Sequence, residues 1–350
     1  MVINCRVNNA MDPFGFHFNF LPEKGNAMSI SRRSFLKAGV ITAGAVASAG
    51  LPVKASAADK GEALCTLLDI RKCIACEACV EACREVNEEK FPEPKGAMPE
   101  MVPRDRVKIA DWSSEEKREV SDRLTPYNWL YIQTAEGQYN GEDFEIHIPR
   151  RCMHCQNAPC SKLCPFGAAF IEPNGIVRIH PDVCMGGAKC KNVCPWHIPE
   201  RQSGVGLHLD LLPQYAGNGV MYKCDRCYNR LAEWELPACI EVCPEEVQQI
   251  GSRTEMVKKA HALAKEIGGF VYGEKENGGT NTIYVSPVPF ELLNQSIEKG
   301  PGKPHLAAAA DVMASTNNWA FALAVAPVAG IAGALLQARS MARKLDGKGR

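Results

Sequence analysis

Apolar positions in the C-terminal third of the chain recur with two different periods. Met256, Val257, Ala260, Leu263, Ala264 and Ile267 fall at helical spacing and Gly268-Gly269 comes directly after, which predicts an amphipathic helix with a glycine stop. Ile283 to Val285, entered from Gly278-Gly279, predicts a short strand. Two further apolar runs have no such period. Ala38 to Leu51 is mildly apolar and rich in Gly and Ala, and Trp319 to Leu336 is eighteen residues without a charge, just long enough to span a bilayer.

The residues flanking those two runs give them direction. Ser31-Arg32-Arg33-Ser34-Phe35-Leu36-Lys37 precedes the first and Ala55-Ser56-Ala57 closes it, an order that predicts a twin-arginine export signal cleaved after Ala57. Such a signal is expected to start near Met28, so Met1 and Met28 both stand as candidate start residues. The second run is succeeded by Arg339, Arg343, Lys344, Lys348 and Arg350, and positive-inside logic keeps that tail in the cytoplasm. A buried core helix is the alternative, and Pro327 and the alanine content lend it some weight. Together the two ends predict a protein exported by the twin-arginine route and held on the periplasmic face by one C-terminal anchor.

Composition narrows the class. The chain has 350 residues, 40 basic against 40 acidic side chains, and 17 cysteines. A chain this long can build ordinary cores, so a small disulfide scaffold is disfavoured. Zero formal charge, with no basic stripe interleaved with aromatics, argues against nucleic acid as a partner.

Fifteen of the cysteines fall into four clumps, leaving Cys5 and Cys65 alone. The first is Cys73-x2-Cys76-x2-Cys79-x3-Cys83, and the second Cys152-x2-Cys155-x4-Cys160-x3-Cys164-Pro165. The third is Cys184-x5-Cys190-x3-Cys194-Pro195, and the fourth Cys224-x2-Cys227-x11-Cys239-x3-Cys243-Pro244. In two-cluster ferredoxins three closely spaced thiolates wrap one iron–sulfur cube while the fourth ligates another. Zinc fits poorly, because a tetrahedral site takes four ligands whereas the first motif has two successive C-x2 gaps and three motifs end in Cys-Pro. Disulfides are the other alternative in an oxidising compartment, but twin-arginine cargo crosses folded, with its thiolates already occupied.

The third motif lacks a thiolate. Regular spacing calls for a cysteine between Cys184 and Cys190, where Gly187 stands. A cluster there either loses one iron and becomes 3Fe-4S, the preferred reading, or binds its fourth iron through water, hydroxide or an unidentified side chain.

Other residues are weaker candidates. His154 and His197 could tune a cluster or ligate iron, and Lys189 and Lys191 flank Cys190 closely enough to raise a nearby potential. Trp129, Trp196 and Tyr222 are expected in the core rather than between clusters, and Cys65 as a small buried apolar residue. There is no Ser/His/Asp set and no P-loop, and Gly204-Val205-Gly206 lacks a third glycine at Leu209, so no catalytic residue is assigned.

The chain resembles the four-cluster iron–sulfur subunits of exported, membrane-bound oxidoreductases, such as the beta subunit of membrane-bound formate dehydrogenase and the ferredoxin-like subunit of hydrogenase-2-type enzymes. The resemblance runs from about Leu64 to Leu293. It includes Arg151-Cys152-Met153-His154-Cys155, Lys223-Cys224-Asp225-Arg226-Cys227, Pro237 to Pro244 and Gly273 to Thr280. A signal of its own plus a C-terminal span makes the chain more similar to the hydrogenase-2 branch.

The resemblance implies an α+β fold of two interleaved ferredoxin-like domains with loop insertions and a C-terminal transmembrane helix. Residues 1–57 would be extension and signal, 58–145 the first half of domain 1, 146–215 the inserted domain 2, and 216–300 the second half of domain 1. A linker at 301–318, the span at 319–336 and a basic tail at 337–350 would complete the chain. It implies the ligand sets Cys73/Cys76/Cys79/Cys243, Cys224/Cys227/Cys239/Cys83, Cys152/Cys155/Cys160/Cys194 and Cys184/Cys190/Cys164, holding three 4Fe-4S clusters and one 3Fe-4S or atypically ligated 4Fe-4S cluster. The implied function is electron transfer, without substrate chemistry, between a large catalytic subunit and a membrane cytochrome b or quinone-reactive subunit. That catalytic subunit would be a hydrogenase, a formate dehydrogenase or another molybdopterin oxidoreductase. A zinc- or disulfide-stabilised binding protein and a free membrane-anchored carrier are the competing readings. The charged insertion from Phe91 to Ile146 has no matched role beyond contact with a partner.

Overall fold

The computed structural model describes residues 62–94, 109–211 and 219–317. The chain divides into Met1–Lys60 and Gly61–Arg350, and the described residues all belong to the second unit. The strands are β1 (Leu64–Asp69), β2 (Tyr131–Tyr139), β3 (Glu142–Arg150), β4 (Ala169–Ile171), β5 (Val177–Ile179), β6 (Glu200–Gln202), β7 (Val220–Tyr222), β8 (Gln248–Ser252), β9 (Phe270–Tyr272) and β10 (Thr282–Ser286). The helices that matter for the site are α1 (Ala78–Asn87), α2 (Pro159–Lys162), α3 (Lys189–Val193), α4 (Ala238–Glu241), α5 (Arg253–Ile267) and α6 (Phe290–Ser296).

A four-stranded sheet in the order β8-β1-β10-β9 organises the unit. β1 runs parallel to β10, with Leu68 opposite Tyr284, and antiparallel to β8, with Thr66 opposite Ile250. Alternation along these strands sends Cys65, Leu67, Ile283 and Val285 to one face, where Met256, Ala260 and Ala264 of α5 cover them. Leu68 and Tyr284 face the other way, into the main core with Trp129, Leu130, Met153 and Trp196.

Helix α5 is the helix that the apolar spacing predicts. Ser252 caps it by accepting the Glu255 N–H at 3.3 Å, and Gly268 ends it at φ 63. The predicted strand at Ile283–Val285 is the middle of β10. The insertion without an assigned role contains β2 and the start of β3, joined through Asn140 and Gly141, whose φ values of 53 and 86 suit a two-residue hairpin turn. Tyr131, Ala135, Ile146 and Ile148 bury that hairpin against the core, and Gln133 donates to the Glu298 carbonyl at 3.0 Å beside α6.

Among the described residues no helix is long and apolar enough to cross a membrane. The export signal, Cys5, the span at 319–336 and the basic tail all lie outside the described residues.

Candidate iron–sulfur sites

The first motif is placed by the end of β1. A single turn over Ile70–Lys72 delivers Cys73, and Ala75 and Glu77 then adopt left-handed conformations, φ 55 and 58, on either side of Cys76. Glu77 caps α1, its carbonyl accepting the Val80 and Glu81 N–H groups. Cys79 and Cys83 lie one helical turn apart on the buried side of α1.

Those two thiols open into different cavities. Cys79 lines one with Cys73, Cys76 and Cys243. Cys83 lines another with Cys224, Cys227 and Cys239. A third cavity is lined by Cys152, Cys155, Cys160 and Cys194. Cys184 and Cys190 share a separate apolar cluster, with Cys164 packed against it. The fold thus gathers three groups of four thiols around one cavity each, and places Cys164, Cys184 and Cys190 in an apolar cluster that Cys160 also touches.

The sets also adjoin one another: α1 carries both Cys79 and Cys83, Arg151 next to Cys152 bonds Cys239, and Cys160 packs against the cluster that holds Cys184 and Cys190. The inner thiols, Cys83, Cys224, Cys227, Cys152 and Cys155 among them, are buried, while Cys76 is exposed and Cys73 and Cys243 are half-buried.

Burial, and then the neighbouring thiols, push Cys79 up to about 12. Burial is also the largest cause at Cys160, raised to about 11, and at Cys194 and Cys224, each raised to about 12. Iron binding has to displace these protons, and the positive charge of the metal favours that.

Fixed donors and charges line the same cavities. The Arg226 N–H donates to Cys224 Sγ at 3.3 Å, the His154 N–H to Cys152 Sγ at 3.5 Å and the Met221 N–H to Cys184 Sγ at 3.5 Å. Arg151 donates to Cys239 Sγ at 2.9 Å. Buried Lys223 donates to the carbonyls of Val177 and Cys224, and buried Arg226 to those of Leu64 and Asn281. Burial lowers Arg226 to about 10, which still leaves it cationic at neutral pH. Arg151, Lys223 and Arg226 occur in motif segments of the sequence, yet only the fold reveals them as buried charges beside the thiols.

The second cavity shows that the residues fit a cluster. Thr66 Oγ1, Arg151 Nη2 and Arg226 Nε are buried, have no partner among the described residues and belong to residues that line this cavity. A cluster supplies sulfide acceptors for such donors. A bound cluster would supply one-electron chemistry. The chain's own part is to hold the thiolates, exclude water and fix the hydrogen bonds that set each potential.

The secondary candidates resolve into packing. His154 is buried and neutral, burial holding it well below the usual histidine range, and its Nδ1 accepts the Val177 N–H at 3.1 Å. His197 Nδ1 bonds the Lys191 carbonyl at 3.2 Å. Trp129 lines the second cavity and stacks on Tyr222 at 6.5 Å. Trp196 lines the third, with its Nε1–H on the Tyr272 hydroxyl at 2.8 Å. Lys191 pairs with Glu200 at 2.6 Å, Lys189 is exposed, and Cys65 is buried under α5.

Two models described as "4Fe-4S dicluster domain" match the chain, at residues 72–168 and 144–253, which together take in all four motifs. The chain is 31% identical over 240 residues to a protein of Nitratidesulfovibrio vulgaris, matching 67% of this chain and spanning only 57% of that relative's length. It is 29% identical to the hydrogenase-2 operon protein HybA of Escherichia coli and Shigella flexneri, over 76% of this chain and 83% of theirs. It is 30% identical to the thiosulfate reductase electron transfer subunit PhsB of Salmonella typhi, over 62% of this chain and 89% of that one. With two dicluster modules, thiols gathered around cavities and a match to nearly all of an electron-transfer subunit, the chain belongs to the family of iron–sulfur electron-transfer subunits of oxidoreductase complexes.

Proposed function

We propose that the protein is a four-cluster wire between a periplasmic catalytic subunit and a membrane cytochrome b or quinone-reactive subunit. The observation that carries this reading is that the thiol sets adjoin one another, the first and second on α1, the second and third at Arg151 and the third and fourth at Cys160, with Cys76 of the first set exposed. Cys73, Cys76, Cys79 and Cys243 would hold the first 4Fe-4S cluster. Cys83, Cys224, Cys227 and Cys239 would hold the second, and Cys152, Cys155, Cys160 and Cys194 the third. Cys164, Cys184 and Cys190 would hold a 3Fe-4S cluster.

Two interleaved ferredoxin-like units account for this arrangement. β8 and β10 return to the sheet begun by β1, and motifs one and four share two cavities, so 146–215 reads as the inserted unit. Export by Arg32-Arg33 and anchoring by 319–336 complete the reading.

Anaerobic purification with iron and sulfide analysis tests it. About 15 irons per chain and several reduced-state EPR signals are expected, and a preparation with about four irons would overturn it. Replacing Arg32-Arg33 by Lys-Lys should leave the chain in the cytoplasm, and co-eluting subunits in mild detergent should identify the catalytic partner.

A further inference from the structure

Gly187 stands in a loop built like the one that presents Cys76. Both begin with a single turn, Ile70–Lys72 or Pro181–Val183, leading to a cysteine whose N–H bonds back to that turn. Cys73 has φ −71 and ψ 122, and Cys184 has φ −74 and ψ 125. Each of these thiols accepts a backbone bond two residues on, from Ala75 and from Gly186. Ala75 and Glu77, φ 55 and 58, flank Cys76, while Gly186 and Ala188, φ 63 and 53, flank Gly187. Glu77 and Ala188 then cap the helices that carry Cys79 and Cys190.

The glycine is not there for its backbone. Gly187 itself does not have a positive φ, and a Cβ built on it meets nothing within 4 Å. A cysteine would fit without strain, and among the described residues no other side chain occupies the place of the missing thiol. Like Cys76, the position is exposed to solvent.

We infer that Gly187 marks an open corner of the fourth cluster, at which the centre held by Cys164, Cys184 and Cys190 takes up and releases one ferrous ion whose outer ligand is water or hydroxide. This rests on the four-cluster reading. The stoichiometry closes without further redox chemistry: the trinuclear core, once reduced by one electron from dithionite, gains one ferrous ion to give a four-iron core. One electron given up to ferricyanide returns the oxidised trinuclear core and releases the ferrous ion. The other three sets, each with four thiolates, retain their iron throughout.

EPR spectroscopy and iron analysis on the full-length, anaerobically purified protein test the inference. The oxidised protein should give one trinuclear signal. Dithionite with a slight excess of ferrous ion, and then desalting, should remove that signal and raise the iron content by about one per chain. Oxidation in the presence of EDTA should reverse both changes. Gly187→Cys should lack the trinuclear signal from the outset and hold its extra iron against EDTA. A wild-type signal unmoved by ferrous ion and dithionite would overturn the inference, as would a wild-type fourth cluster whose four irons resist EDTA. Either result, with reduced-state signals from the other centres intact, leaves the four-cluster reading standing. Low iron with no reduced-state signals refutes both.

Discussion

Arg151 donates its Nη1–H to Cys239 Sγ at 2.9 Å, across 88 positions of sequence. Burial works against its charge, but Cys239, Cys224 and Cys79 together raise its pKa above the usual guanidinium value. Those cysteines belong to two of the thiol sets, so one cation acts on both. A positive charge and a donor at sulfur both favour the more negative, reduced cluster. Arg151→Gln should therefore lower the midpoint potential of the second centre by on the order of 100 mV, and that of the first by less. Arg151→Lys should restore most of the loss. Potentiometric titration monitored by EPR reads both.

The fourth thiol set has the opposite arrangement. Lys191, next to Cys190, is held by Glu200 at 2.6 Å, and the carboxylate, with only 8% of its side chain exposed, offsets that positive charge. Glu200→Gln leaves the lysine uncompensated. The trinuclear signal should then titrate at a potential higher by several tens of mV, whereas the reduced-state signal of the first centre should not move.

Helix α5 offers a stability test remote from every thiol set. Ser252→Ala removes the cap on Glu255 N–H and should cost about 1 kcal/mol. Denaturant unfolding of the holoprotein should register the loss while EPR signals and iron content stay unchanged. A change in cluster signals would mean that α5 is coupled to the sites more tightly than its packing on Cys65, Leu67 and Ile283 implies.

How legible each part was in sequence depends on how local its cause is. Thiol spacing is local, since the turn, the left-handed residues and the helix that present Cys73, Cys76 and Cys79 lie within a dozen positions. The apolar stripe of α5 and its glycine stop are local too. The β2–β3 hairpin carried a local sign in Asn140-Gly141 and in the alternation of Phe144, Ile146 and Ile148, yet the charged residues around that turn hid it. Arg151, Lys223 and Arg226 could not be read as buried charges, because the groups that bury them come from distant segments. Arg226 alone bonds Leu64, Asn281 and Thr282.

The likeness of the Cys76 and Gly187 loops also works in reverse. The conformation of the first loop is set by Ala75 and Glu77, by the cap on α1 and by the turn before Cys73, not by the thiol at position 76. Holding two non-glycine residues in the left-handed region costs on the order of 1 kcal/mol each, which the flanking turn and helix meet whatever side chain stands between them. Cys76→Gly should therefore preserve the loop and open a corner in the first centre. The oxidised variant should give a second trinuclear EPR signal and hold about one iron fewer per chain. Ferrous ion with dithionite should restore that iron, as at Gly187. Loss of the entire first centre instead would mean that the thiol, rather than the backbone, holds this loop together, and the two loops would then be alike in shape only.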